Sequence, residues 1–140
     1  MATDVVFNVL ANSDQDHIQL ACHKAAQLYR QNKRVFIFCD SQIDAHKIDE
    51  LLWSFESNSF VPHNLPGEGL ESGSPVEISW QAPTNHRQVL INLASKVPAF
   101  AGQFKQIVDF VPADEERKQL ARVRYRGYQQ AGCSLTTESS

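Results

Sequence analysis

No glycine-rich phosphate loop, no paired cysteines and no long apolar run occur anywhere in these 140 residues. Each absence removes a class of function. Neither G-x-G-x-x-G nor G-x-x-x-x-G-K-[ST] is present, so the two common backbone cradles for nucleotide phosphates are missing. The three cysteines, Cys22, Cys39 and Cys133, are far apart and form no C-x-x-C, which argues against a disulfide framework and a zinc site and for a reducing cytoplasm. No apolar stretch approaches the roughly 20 residues of a membrane helix, and residues 1–10 lack the basic start of a signal peptide. The five histidines, His17, His23, His46, His63 and His86, are scattered without the i, i+4 spacing of a helical metal site. No catalytic residue, metal or cofactor is therefore assigned.

The residues that are present describe an α/β protein. A strand is expected at residues 4–10, followed by a helix opening near Ser13 and Asp16 and running to about Gln31. Residues 35–39 form a continuous apolar run, as in a strand covered on both faces. A second helix follows from Ser41 to about Ser54, with Ile48, Leu51 and Leu52 inward. Regularity then stops over residues 55–75, where Ser, Asn, Pro and Gly dominate. Alternation of Val76, Ile78 and Trp80 with Glu77 and Ser79 predicts a strand. Further strands are expected at residues 89–93 and 106–111, with a short helix from Pro98 carrying Phe100 and Phe104 between them. Asp114 should cap a final helix that ends at Gly132. The β-α-β-α opening implies a three-layer fold, a mainly parallel sheet with helices on both faces, like a mono- or dinucleotide-binding fold without its phosphate loop. A single domain over residues 1–133 and a frayed polar tail over 134–140 are expected.

Two candidate active-site features are weak. Asp40 ends the second strand, where a dinucleotide fold holds its ribose-binding acid, but the preceding turn, Ala11-Asn12-Ser13-Asp14, has no glycine. Cys39 in its apolar run reads as an inert buried thiol, and His63 as the source of a loop-ordering hydrogen bond.

Charge points instead to binding. The chain is acidic, at net −3, yet five of its thirteen basic residues fall between Arg117 and Arg126. At about 100° per residue, Lys118, Arg122, Tyr125, Arg126 and Gln129 share one face. Leu120, Val123, Gly127 and Ala131 share the opposite, apolar face, and Arg124 falls toward it, where it must snorkel or pair. A basic face on an acidic protein suits a specific anionic partner. With Val111 beside the helix start, a pocket with an apolar floor and a basic rim would suit an acidic peptide ending in an aromatic carboxylate. Trp53 lies off its helix stripe. Helix geometry leaves open whether it covers its own loop with Phe55 or Phe60 or anchors a partner.

The stretches LLWSFESNSFVPHNLPGEG (51–69), SPVEISW (74–80), VDFVP (108–112) and KQLARVRYRGYQQAG (118–132) resemble the chi subunit family of bacterial DNA polymerase III holoenzyme. The resemblance covers nearly the whole chain. It implies a clamp-loader accessory in DNA replication that has lost the phosphate loop and has two binding surfaces. One takes the acidic, proline- and phenylalanine-ended tail of single-stranded-DNA-binding protein, at Val111, Lys118, Arg122, Tyr125 and Arg126. The other takes the psi subunit, or a helicase-like partner in its place, at Trp53 and Phe60. The implied role is a non-catalytic adaptor without cofactor. The alternatives are a degenerate nucleotide-binding enzyme using Asp40 and His63, or direct binding of single-stranded DNA. The second has only Tyr125 as a stacking platform and no extended basic groove.

Overall fold

A computed structural model describes residues 3–11, 17–54, 63–65, 75–83 and 87–139. The strands are β1 (Asp4–Val9), β2 (Val35–Phe38), β3 (His63–Asn64), β4 (Val76–Ser79), β5 (Val89–Asn92), β6 (Gln106–Val111) and β7 (Ser134–Ser139). The helices are α1 (His17–Arg30), α2 (Gln42–Ser54) and α3 (Glu115–Gln130). The seven strands form one sheet in the order β3-β4-β2-β5-β6-β1-β7, and every pairing is parallel.

Alternation along the strands divides the core in two, because successive side chains point to opposite faces. Val35, Ile37, Ile78, Ile91 and Phe110 pack under α1 and α2. Val5, Phe7, Phe36, Leu90 and Ile107 pack with Ala121 and Tyr128 of α3 on the other face. The arrangement is the expected three-layer α/β fold.

β4 is the expected strand, and it is buried along its whole length although its sequence alternates. It lies between β2 and β3, and β3 pairs with its first two residues, Val76 and Glu77. Glu77 is kept inside by Arg87, whose guanidinium donates to the carbonyls of Val35 and Pro75 and lies 3.7 Å from the Glu77 carboxylate. The irregular region contains a two-residue strand, β3, in which His63 Nε2 lies 3.2 Å from the Asp49 carboxylate of α2. The expected helix after Pro98 is a single 3-10 turn at Ala101–Gln103, flanked by Phe100 and Phe104 with ring centroids 6.2 Å apart. The expected frayed tail is instead strand β7, paired with β1 in unbroken register from Asp4↔Ser134 to Val9↔Ser139. Its start is fixed by the preceding helix end. Gly132 takes a left-handed φ of 86°, and Cys133 N–H donates to the Tyr128 carbonyl at 3.1 Å. This closes α3 in a Schellman-type cap and turns the chain back onto the sheet. The Ser13 and Asp16 cap lies outside the described residues.

Candidate functional site

α3 begins where the sequence places it. The Asp114 side chain accepts from the Arg117 N–H at 3.1 Å and from Arg117 Nε at 2.7 Å. Those bonds hold its carboxyl below the ordinary range, the backbone N–H first among them.

The helix is rotated differently from the expected apolar back. Leu120 and Val123 are 39% and 63% exposed, whereas Arg124 is 7% exposed. The buried stripe is Ala121, Arg124 and Tyr128. A polar cluster sets this rotation. Arg124 Nε donates to both oxygens of the fully buried Asp109, at 3.1 and 3.2 Å. Its other nitrogens donate to the carbonyls of Ser95 and Phe110. Tyr128 O–H, Asn92 Nδ2 and the Phe110 N–H complete the shell around Asp109. Burial pushes the Asp109 carboxyl up, with Arg124 and the donated hydrogen bonds opposing. Burial likewise raises the Tyr128 phenol. The buried arginine thus pairs, as its position on the helix required. The helix is keyed to β6 by charge, which a reading of hydrophobicity cannot see.

With that rotation, Lys118, Arg122 and Tyr125 flank the buried stripe and line a pocket of about 220 Å³ between α3 and the sheet edge. Its floor is Phe7 and Val9 of β1, Val111 of β6 and Ala121. The Tyr125 ring is half-buried, 5.5 Å from that of Phe7. Arg122 is exposed at the rim, 4.0 Å from Glu115. Four of the five residues that the sequence groups into a candidate tail site, Val111, Lys118, Arg122 and Tyr125, therefore meet in one concavity with an apolar floor and a basic rim. Arg126 does not line it and stands exposed one helical turn further on. Thr137 of β7 forms a wall. Nothing local in the sequence marks Thr137 as part of the pocket, because residues 134–140 read as a polar tail. The adjacent β-branched residues Thr136 and Thr137 are the one local strand signal there.

The second candidate surface involves Trp53 and Phe60. Trp53 occupies the last turn of α2, but its side chain and all of Phe60 lie outside the described residues.

A crevice of about 200 Å³ opens at the carboxyl ends of the strands, where open α/β sheets commonly bind ligands. Its polar groups bond to one another. Asp40 accepts from the Ser95 N–H and hydroxyl, and Asp109 and Arg124 belong to the cluster above. Arg117 is paired with Asp114 and lies 3.5 Å from His17 Nδ1. Cys39 is buried, its thiol pushed up to about 12 by burial, with Asp44 and Asp40 adding to the effect. Among the described residues no three metal-ligating side chains cluster, and no helix is long and apolar enough to cross a membrane.

A family model described as DNA polymerase III chi subunit, HolC, matches residues 2–136. The chain is 46% identical over 121 residues to the DNA polymerase III subunit chi of Escherichia coli, covering 85% of this chain and 82% of the relative. It is 45% identical over 123 residues to the subunit of the same name from Haemophilus influenzae, covering 86% and 85%. The Pseudomonas aeruginosa subunit is 33% identical over 135 residues, covering 95% and 94%. Matches of this extent, on a fold of this kind, establish that the chain belongs to the DNA polymerase III chi subunit family.

Proposed function

We propose that this chain is a non-catalytic adaptor of the replication machinery, acting in the cytoplasm. In this reading the pocket between α3 and the sheet edge takes the acidic C-terminal tail of single-stranded-DNA-binding protein. The surface around Trp53 and Phe60 takes the psi subunit, which joins the chain to the clamp loader, or a helicase-like partner that competes with psi. Two weak attachments made at once gain avidity without any new contact.

The observation that carries the tail reading is the pocket itself. A terminal aromatic ring would lie on Phe7, Val111 and Tyr125, and its carboxylate would meet Arg122, with Lys118 beside it. Apolar contact supplies affinity that salt does not screen, and the rim adds charge-assisted hydrogen bonds.

The test is fluorescence anisotropy with a labelled acidic peptide ending in proline and phenylalanine. Arg122→Ala should weaken binding about ten-fold or more, the equivalent of one charge-assisted hydrogen bond. Lys118→Ala should cost less, because an exposed rim charge is screened. Removing the final phenylalanine should hurt even in high salt. Full affinity in Arg122→Ala places the tail elsewhere. On the second surface, Trp53→Ala and Phe60→Ala should each cost psi binding on the order of 2 kcal/mol with circular dichroism unchanged. Unaltered psi binding in both variants removes that surface from the reading.

A further inference from the structure

The outer edge of β7 runs beside the pocket. Ser134 N–H donates to the Thr3 carbonyl at 2.9 Å, and the register with β1 then continues without a bulge. Backbone groups of alternate residues in a strand point to alternate sides. Ser134, Thr136 and Glu138 therefore direct theirs to β1, and Leu135, Thr137 and Ser139 direct theirs outward. Among the described residues no strand pairs with that outward side. The edge also lacks the features that usually protect one: β7 has no proline, no lysine and no bulge. Its single charge, Glu138, lies on the opposite face of the sheet, in a groove with Lys24 and Gln27.

Thr137 belongs to both features. Its side chain is a wall of the pocket, and its backbone sits in the middle of the open edge. As the crossover between two parallel strands, α3 runs antiparallel to β7, so its basic residues follow the same line as that edge.

We propose that the β7 edge is a strand-addition site for the extended acidic segment that precedes the aromatic anchor in the pocket. The segment joins the sheet as an eighth strand, parallel to β7. This rests on the tail reading above and extends it from a terminal contact to a main-chain one. Charge sets the direction. From the pocket toward Leu135 the segment passes Arg126, which the pocket leaves unused. In the other direction it meets the exposed Glu115 and Glu116 of the first turn of α3. An acidic segment therefore runs toward Leu135. Ending in the pocket at Thr137, its chain direction matches that of β7.

The experiment uses the full chain and the acidic peptide ending in proline and phenylalanine, with two readouts. Amide exchange by NMR should slow at Leu135 and Thr137 on peptide binding, while Ser134 and Thr136, already bonded to β1, change little. Single N-methylation along the peptide should weaken binding with a period of two, roughly five-fold at each residue whose N–H pairs with the edge and little at those between. Unchanged exchange at Leu135 and Thr137, or N-methylation without a period of two, overturns the strand addition while Arg122→Ala sensitivity keeps the tail reading. Equal binding to wild type and Arg122→Ala overturns both.

Discussion

Asp109 illustrates how much one residue settles. It has no exposed surface, and its carboxylate accepts from Arg124, Tyr128, Asn92 and the Phe110 N–H. Removing it leaves a guanidinium buried without its counter-charge. Asp109→Leu should therefore cost about 3–5 kcal/mol, and the double variant with Arg124→Met should recover much of that loss. Urea denaturation of the single and double variants checks this, and a double variant no more stable than Asp109→Leu would contradict it. The cysteines give a second residue-scale expectation. Cys39 and Cys22 are buried, Cys39 with its thiol pushed up to about 12, while Cys133 is half-exposed and only raised by partial burial. At pH 8 a thiol reagent should modify Cys133 first, with the other two reacting only in denaturant. Asp114 sets a pH dependence. Its folded pKa lies below the usual value near 3.9, so the stability it adds is fully present above that value and is lost as pH falls through the folded one. Asp114→Asn retains a capping side chain, and its melting temperature should change less between pH 5 and pH 3 than that of wild type.

Elements with local signals were legible in the sequence, and those defined by distant partners were not. β6 covers the expected residues 106–111, and α3 opens at Asp114 and closes at Gly132, because caps and apolar runs are read from neighbouring residues. The rotation of α3 was not legible. Leu120 and Val123 make the better apolar stripe, but the Asp109–Arg124 pair wins, and no periodicity encodes an ion pair between separate elements. β7 was missed for a related reason. An edge strand with most residues exposed has no apolar alternation, and its pairing with β1 is invisible locally. Lys118, Arg122 and Tyr125 still line one pocket, since they share one face whichever way the helix turns. The turn into β7 gives the prediction at this scale. Gly132 holds a φ of 86°, with nothing within 4 Å of where a Cβ would stand, so Gly132→Ala isolates backbone strain. It should destabilise by about 1 kcal/mol in thermal or urea unfolding.

The whole molecule has the frame of a nucleotide-binding sheet without the glycine loop. The crevice at the carboxyl ends of the strands is lined by the acids Asp40 and Asp109 and by arginines already paired. Phosphate entering there would face the Asp40 carboxylate, with the buried Asp109 charge behind it and no glycine loop to receive it. Calorimetry with ATP, GTP and NAD at millimolar ligand should give no heat of binding. Low micromolar binding of any of them would count against the adaptor reading. The pocket between α3 and the sheet edge lies at the other side of the helix, and its composition has a consequence for assembly. Its floor comes from residues 4–9 and its wall from residues 134–139, segments about 130 positions apart that meet only when β7 closes on β1. Such long-range pairing is a slow, non-local event in folding. The pocket is thus a checkpoint for completion: a chain that has not joined these distant segments lacks a site to present. Under the proposed tail reading, recruitment would select finished subunits and leave nascent or damaged ones unengaged.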